Sequence, residues 1–196
     1  MTTSTRVPPA EIDGLYGALV TRMSRRTFGK VPDGLGVLWH HRKVLNFSFG
    51  LGRKAAKWHA CDEQLKTFAS MAAAASIGCG FCLDLGYFAA HTKGLDLDKA
   101  REVPRWRESD VFTPLERDVL EYAEAVTATP PTVTDELSAR LLDALGAAGL
   151  VELTATIALE NLYSRTNNPL GITSAEFADS CGLPPLAQPS RVASRA

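Results

Sequence analysis

Residues 63–94 read EQLKTFASMAAAASIGCGFCLDLGYFAAHTKG, and this stretch decides the fold. Its first half carries apolar side chains at helical spacing, which mark one helix face: Leu65, Phe68, Ala69, Ala72 and Ala75. The segment Gly78-Cys79-Gly80 interrupts that helix, which we expect to cover residues 63–76. A second helix is predicted from about Cys79 to Lys93, with Gly94 as the glycine that follows a helix C-terminus. The stretch therefore predicts two helices joined by a tight turn that carries cysteine.

The rest of the chain shows helical patterns and no strand-like alternation. Further helices are predicted at residues 12–27, 32–41 and 43–57, after the capping box Thr113-Pro-Leu-Glu116, after a weaker box at Thr132-Val-Thr-Asp135, and from about Gly149 to just before Pro169. The predicted fold class is all-α, with a single domain at residues 11–183. Flexible tails are predicted at residues 1–10 and 184–196, because both are rich in proline and small polar residues.

The overall composition excludes several kinds of protein. The chain has 196 residues, 45% of them hydrophobic, and a formal net charge of -1. This favours a folded domain, and the near-zero charge gives no electrostatic reason to expect nucleic acid or a membrane as a partner. The longest run of small apolar residues, Met71 to Ala75, is far shorter than the roughly 18 residues that span a bilayer. The N-terminus lacks the apolar segment of a secretion signal, so we expect a cytoplasmic protein.

Cys79 and Cys82 form the most chemically suggestive pair in the sequence. Residues three apart on the first turn of a helix are neighbours, so their sulfur atoms are expected to lie side by side. The helix N-terminus stabilises a thiolate, and a thiolate beside a second thiol can attack an electrophile and then form a disulfide. Two other interpretations remain open, namely inert packing and half of a zinc site whose other half is missing. Cys61 and Cys181 are isolated, and we predict neither a metal nor a cofactor.

Several segments resemble, in order and spacing, the carboxymuconolactone decarboxylase and alkylhydroperoxidase D-like proteins. They are Cys79-Gly-Phe-Cys82, Ala90 and Gly94, Phe112-Thr-Pro-Leu-Glu-Arg117, Tyr122-Ala-Glu-Ala-Val-Thr127, and Leu150-Val-Glu-Leu-Thr154 through to Arg165-Thr-Asn-Asn168. The resemblance spans residues 40–172. It implies an alkylhydroperoxidase D-like helical bundle that assembles as a homo-oligomer (dimer, trimer or hexamer). It also implies kinship with a branch of hydroperoxide reductases that carry such a cysteine pair.

The resemblance implies roles for the two cysteines. In the peroxidase branch the second cysteine attacks the peroxide and the first resolves it, which assigns attack to Cys82 and resolution to Cys79. That branch activates its thiol through a glutamate–histidine relay, whose two positions correspond here to Thr67 and Gly86. The relay is therefore missing from this sequence.

No nearby residue is an obvious substitute for the relay. His91 lies nine residues after Cys82, and about 100° of turn per residue places it on the opposite helix face. A carboxylate at Asp84 would raise the pKa of the thiol rather than lower it. His59 is a candidate that could fold over the site, although a lone histidine is more often a packed or surface residue.

Glu160, Tyr163 and Arg165 complete the set of candidate pocket residues. They lie in the polar end of a helix that is apolar upstream, and Arg165 continues its apolar face, so it is expected to point inward. A buried polar side chain must be hydrogen-bonded, since leaving it unpaired costs on the order of 1–3 kcal/mol. The alternative, which we favour, is that Arg165, Asn167 and Asn168 anchor the helix end and its loop.

The sequence thus predicts a dithiol oxidoreductase that reduces hydroperoxides. Cys82 would pass through a sulfenic acid, Cys79 would close the disulfide, and a thiol reductant protein would reopen it. One alternative is a decarboxylase-like lyase or isomerase acting on a small organic acid or lactone, with Glu160 and Arg165 as its acid–base group and carboxylate anchor. Another is a non-catalytic oligomeric member of the family.

Overall fold

The computed structural model describes residues 5–189, and helices account for most of them. The helices are α1 (Gly14–Phe28), α2 (Asp33–Trp39), α3 (Arg42–Ala55), α4 (Glu63–Ile77), α5 (Gly80–Thr92), α6 (Leu97–Glu102), α7 (Pro114–Thr127), α8 (Asp135–Asn167) and α9 (Phe177–Ser180). A 3-10 segment, Val103–Glu108, lies between α6 and α7. The described residues contain no strand, so the predicted all-α class is confirmed.

Helix α4 forms the centre of the bundle. Nearly every side chain from Leu65 to Ala74 is buried, because α5, α7 and α8 pack around this helix. The largest fully buried side chains of the surrounding core are Phe68, Met71, Tyr87, Leu120, Leu141, Leu153 and Ile157. The two predicted helices of residues 63–94 therefore lie where the fold is most tightly packed.

One of the two predicted capping boxes is present in the structure. The capping box at Thr113 is confirmed: its side chain accepts the N–H of Glu116, and the Glu116 carboxylate accepts the N–H of Thr113. The predicted box at Thr132 is wrong by two positions. Thr134 is the cap, and its hydroxyl accepts the N–H of Leu137 at 3.2 Å, because a cap must directly precede the first helical turn.

Helix α8 consists of two segments that meet at Gly146. That residue has φ 69° and ψ 169°, a left-handed conformation that glycine adopts without a steric penalty. Two separate helices were predicted here, and the break between them lies at Gly146 rather than near Gly149. By length and composition α8 could cross a membrane, contrary to the expectation that no segment qualifies. This is weak evidence for a span, since core helices meet the same criterion and α8 packs against α4 and α7.

Helices α1, α2 and α3 form a thinner N-terminal layer. Its small hydrophobic cluster consists of Leu35, Trp39 and Leu45. The layer touches the bundle through α3 and α8, where the Tyr163 hydroxyl donates to the backbone oxygen of Ser48 at 3.1 Å. This contact brings the N-terminal layer close to the cysteine-bearing turn, because Tyr163 also packs against the cysteines.

The described parts of both predicted tails carry backbone hydrogen bonds. The N–H of Arg6 donates to Leu170 at 2.9 Å, and the N–H of Ala187 donates to Arg101 at 3.0 Å. Residues 1–4 and 190–196, which belong to the same two tails, lie outside the described residues. The domain limits at residues 11 and 183 stay a prediction.

A dithiol site at the start of α5

The turn between α4 and α5 places Cys79 at the N-terminus of a helix. Gly78 ends α4 with φ 78°, a left-handed value that favours glycine. Cys79 then takes the N-cap position of α5, and its Sγ accepts the backbone N–H of Cys82 at 3.3 Å. Sulfur therefore occupies the position in which serine or aspartate usually caps a helix.

The two thiols of this turn are in contact, as the spacing predicts. Both cysteines are free, and their side chains share a hydrogen bond. Cys79 is 2% exposed and Cys82 is 7% exposed, so the pair lies just beneath the surface and Cys82 is the more accessible. This arrangement allows an intramolecular disulfide after oxidation of either sulfur.

The contact divides the negative charge unequally between the two sulfurs. The pKa of the Cys79 thiol is lowered to about 7, first because Cys82 donates its thiol hydrogen and then through hydrogen bonds from backbone N–H groups. The same hydrogen bond, together with burial and the nearby Glu160 carboxyl, raises the pKa of the Cys82 thiol. When the pair carries one negative charge, that charge therefore lies on Cys79 and the proton on Cys82.

Helix α8 supplies the polar wall of the site. The Ser164 hydroxyl donates to Glu160 Oε1 at 2.6 Å, and the Asn167 amide donates to Cys82 Sγ at 3.4 Å. The Glu160 carboxyl also lies within hydrogen-bonding reach of the Cys82 thiol, whose single hydrogen is donated to Cys79. Burial raises the pKa of the Glu160 carboxyl to about 7, against the hydrogen bond from Ser164, which favours its charged form. Glu160 is thus a carboxyl group that can take or release a proton near neutral pH.

The two positions that correspond to the glutamate–histidine relay of the peroxidase branch hold residues that only pack against their neighbours. Thr67 is buried in α4, and Gly86 lies against Met71. A Cβ atom at Gly86 would come within 2.6 Å of Met71 Cγ, and Met71 is itself fully buried. No hydrogen bond within residues 5–189 joins Thr67 or Gly86 to the thiols, so these two positions contribute shape rather than chemistry.

The remaining candidates of the sequence analysis lie in different places. Tyr163 packs beside the thiols. His59 is exposed in the loop between α3 and α4. Asp84 is buried but caps α9, where its carboxylate accepts the N–H groups of Phe177 and Ala178 at 3.0 and 3.1 Å.

Arg165 does not point inward, and that expectation is wrong. Its guanidinium is exposed and donates to the backbone oxygen of Thr127 at 2.8 Å, so it anchors the end of α7. Asn168 donates to the backbone oxygen of Gly78 at 2.8 Å and holds the end of α4. The favoured alternative, in which Arg165, Asn167 and Asn168 anchor the end of their own helix and its loop, is therefore wrong in its detail: Arg165 and Asn168 hold the ends of α7 and α4, and Asn167 donates to the Cys82 sulfur. Glu160 and Arg165 do not form one pocket.

The predicted inward face of α8 was rotated about the helix axis relative to the observed one, so it included Arg165 and left out Ser164. The inward face continues from Leu153 and Ile157 through Glu160, Ser164 and Asn167, at alternating steps of four and three residues. Extending that period strictly from the two buried aliphatic residues would have placed Ser164 in the core. The residue type alone did not indicate a functional role for Ser164, because serine is common in helices that have no catalytic function.

Within residues 5–189, no group of three or more His, Cys, Asp or Glu side chains is arranged to hold a metal ion. The geometry is that of a two-sulfur site with one adjacent carboxyl group.

Comparison with known proteins supplies the family. The carboxymuconolactone decarboxylase family matches residues 43–125, a range that includes both cysteines and excludes Glu160. The uncharacterized protein YnjA of Escherichia coli K12 is 35% identical over 153 residues, which make up 76% of this chain and 83% of YnjA.

Two crystal structures share the fold at low sequence identity. The debrominase Bmp8, a cysteine-to-alanine variant in complex with 2,3,4-tribromopyrrole, has a TM-score of 0.76 at 19% identity, with 92% of this chain and 96% of that chain covered. An uncharacterized peroxidase-related protein from Ralstonia eutropha, with an alkylhydroperoxidase AhpD core, has a TM-score of 0.76 at 17% identity and covers 90% and 96% of the two chains. Together with the sequence match, they identify the chain as a member of the carboxymuconolactone decarboxylase family with an alkylhydroperoxidase D-like fold.

Proposed function

We propose that this protein is a dithiol oxidoreductase that reduces small hydroperoxides with Cys79 and Cys82. The observation that carries the proposal is the pair of free, hydrogen-bonded thiols at the N-terminus of α5. Membership of a family that includes peroxidase-related proteins supports the same chemistry. The reaction needs no metal, because the two thiols supply both electrons.

The first step forms a sulfenic acid on Cys82. The Cys82 sulfur attacks the outer peroxide oxygen and the O–O bond breaks. The leaving alkoxide receives the proton that Cys82 loses and departs as an alcohol. Cys82 is the better candidate for this step because it is 7% exposed, against 2% for Cys79, and a peroxide must reach the sulfur that it oxidises.

The second step closes the disulfide. The Cys79 thiolate attacks the Cys82 sulfenic sulfur and displaces hydroxide, which leaves as water after protonation. The sum of both steps converts two thiols and one hydroperoxide into a disulfide, an alcohol and water. Cys79 suits this role because its pKa, lowered to about 7, leaves much of it ionised at neutral pH. An external thiol reductant, for which we propose a thiol protein, then returns both electrons.

The test is peroxide consumption by the purified protein, with tert-butyl hydroperoxide as substrate and dithiothreitol as donor. We expect Cys82→Ser to abolish turnover, whereas Cys79→Ser still forms the sulfenic acid but no intramolecular disulfide, so its turnover depends on direct reduction of Cys82 by dithiothreitol. The matched controls are Cys61→Ser and Cys181→Ser, which should keep full activity. Cys61 is buried with its pKa raised to about 11, and Cys181 is remote in sequence. A Cys82→Ser protein as active as the parent would refute the proposal.

A second candidate function is reductive dehalogenation. The fold shared with Bmp8 covers 92% of this chain, and a dithiol can deliver two electrons to a carbon–bromine bond, giving a disulfide, a carbon–hydrogen bond and bromide. Bromide release from 2,3,4-tribromopyrrole that depends on Cys82, without peroxide consumption, would replace the first proposal with this one. The lyase alternative has less support, since Arg165 and Glu160 lie in different places.

We also propose that the chain forms a homo-oligomer in the cytoplasm. The N-terminal layer exposes large apolar side chains that a monomer would leave in water, among them Leu15, Leu19, Met23, Phe47 and Phe49. Large exposed apolar patches mark contact sites in soluble proteins.

A further inference from the structure

Cys82 must lose its thiol proton when it attacks the peroxide, and in the peroxidase branch the glutamate–histidine relay accepts that proton. Cys82 holds its proton while Cys79 holds the negative charge. A thiol attacks peroxide only as a thiolate, so Cys82 must lose that proton as the sulfur–oxygen bond forms. The relay positions offer no acceptor, since Thr67 has no ionisable group and Met71 fills the space beside Gly86.

Cys79 is a poor acceptor for this proton. A transfer from Cys82 to Cys79 would neutralise the thiolate that is needed to close the disulfide. Removal of the Cys82 proton to solvent, ahead of the attack, would leave two adjacent negative sulfurs under little water, which is unfavourable. The arrangement therefore calls for a third group that accepts the proton during the attack.

Glu160 is in the position that this role requires. Its carboxyl group reaches the Cys82 thiol from α8, and the buried Ser164 hydroxyl fixes one of its oxygens at 2.6 Å. Resting on the proposed function, we propose that Glu160 is the general base of the first step. Rotation about the Cβ–Sγ bond of Cys82 turns its single thiol hydrogen from Cys79 to Glu160, which accepts that proton as the sulfur attacks and then returns it to the departing alkoxide. The carboxyl group ends the step as it began, so the balance of the reaction is unchanged.

The surroundings of Glu160 suit a group that both accepts and returns a proton. Burial raises its pKa to about 7, and the ionisable groups that act on it are Cys79 and Cys82 on α5. Tyr163, on the same helix, has its own pKa raised by burial and by Glu160. No Lys, Arg or His in the described part of the chain forms an ion pair with Glu160. A general base works best when its pKa is near the working pH.

The experiment isolates the first step in a Cys79→Ser background, where Cys79 no longer titrates. Sulfenic acid formation on Cys82 is followed by rapid mixing with tert-butyl hydroperoxide, trapping with dimedone and mass spectrometry. We expect the rate to rise with pH as Glu160 loses its proton, with a midpoint near or below 7. The midpoint falls below 7 if loss of the Cys79 charge eases ionisation of Glu160.

Adding Glu160→Gln should remove this rise and slow the reaction at pH 7 by about 100-fold, the lower end of the usual contribution of a general base. The glutamine oxygen can still accept from Ser164, which preserves the local packing. Glu160→Asp should retain the pH-dependent rise with part of the rate. Formate should partly restore the rate of Glu160→Ala, an effect that a purely structural role would not produce. Glu121→Gln, on the exposed surface of α7, is the matched control and should change nothing.

The outcomes separate this inference from the function on which it rests. If the Cys79→Ser protein oxidises at Cys82 and Glu160→Gln leaves both its rate and its pH profile unchanged, Glu160 is not the base and the dithiol function stands. If Cys82 forms no sulfenic acid in the Cys79→Ser protein, the proposed function and the role of Glu160 both fail.

Discussion

The helical bundle around α4 and the N-terminal layer of α1–α3 differ in how they use apolar side chains. In the bundle, Phe68, Met71 and Leu153 have no exposed surface. In the N-terminal layer, Leu15 is 94% exposed and Phe47 is 60% exposed. The bundle buries most of its apolar side chains and holds the thiol site, although α8 also exposes Leu142, Val151 and Leu162, whereas the N-terminal layer exposes many of its large apolar side chains. The comparison separates a part of the chain built for internal packing from a part suited to contact.

The two regions also differ in net charge. Residues 14–57 contain nine Lys or Arg residues and a single acidic residue, Asp33. The net charge of -1 for the whole chain conceals this basic segment, because acidic residues prevail in the bundle. The net charge of the whole chain therefore says little about its contact surfaces, including whether one of them suits an anionic partner. The distribution along the chain is more informative than its sum.

The largest expected difference in stability concerns ion pairs. Lys66 lies in the bundle and donates to Trp58, Glu152 and Glu63, with the Lys66–Glu152 pair at 2.8 Å and both side chains 8% exposed. We expect Lys66→Met to lower the free energy of unfolding by about 3–5 kcal/mol, because it leaves Glu152 buried without its partner. In the N-terminal layer, Arg42→Met should cost less than about 1 kcal/mol, since its exposed pair with Asp13 is screened by water.

Urea denaturation measures both variants, and the double variant Lys66→Met with Glu152→Met should recover most of the loss. The pH dependence follows from the same pair. Burial alone would raise the pKa of Glu152, but hydrogen bonds from Lys66 and two backbone N–H groups lower it below its ordinary value of 4.5. Its contribution is therefore present above pH 4.5 and is lost as the pH falls through the lowered folded-state pKa. Equal losses for Lys66→Met and Arg42→Met would contradict the distinction between the regions.

The second difference concerns truncated leucines. Leu153→Ala in the bundle should destabilise by about 2–5 kcal/mol, because it removes buried methyl groups and leaves a cavity. Leu19→Ala in α1, where the side chain is 54% exposed, should change stability by no more than about 0.5 kcal/mol in the isolated chain. The melting temperatures of both variants should be measured at several protein concentrations, because only stability that depends on contact with another subunit changes with concentration. A large, concentration-dependent loss for Leu19→Ala would mean that another subunit covers the N-terminal layer.

The third prediction concerns the oligomeric state, where we expect a change in the mass of the assembly with little change in the free energy of unfolding of the chain. If the proposed homo-oligomer uses the N-terminal layer, the parent protein should have a mass that is a multiple of 21.1 kDa. Phe47→Asp should lower that mass toward 21.1 kDa without unfolding the chain, because a charge replaces an apolar contact. Val111→Asp, an exposed apolar residue before α7, is the control. Light scattering that finds a 21.1 kDa parent protein would rule out the homo-oligomer.

Sequence patterns predicted the fold well because they report local and periodic physics. The Thr113 capping box, the Gly94 helix end and the cysteine spacing depend on neighbouring residues, and each agrees with the structure. The short α6, the 3-10 segment and α9 were not predicted. They are too short to show a period, and tertiary contacts fix them, such as the Asp84 carboxylate that caps α9.

The candidate site was only half predictable from the sequence. The thiol pair lies within one turn, so its spacing was enough to identify it. Glu160 was named as a pocket residue, but its contact with Cys82 spans two helices and depends on the rotation of α8 about its axis. A small error in that rotation directed attention to Arg165 and away from Ser164.

The most direct test is the mass of the tryptic peptide that carries both cysteines, residues 67–93, after one equivalent of tert-butyl hydroperoxide. Adjacent, reachable thiols should lose two hydrogens together, resist iodoacetamide, and regain both alkylation sites after reduction with dithiothreitol. A peptide that keeps its original mass and takes two labels under the same treatment would mean that no oxidant reaches the pair, and the catalytic account would fail.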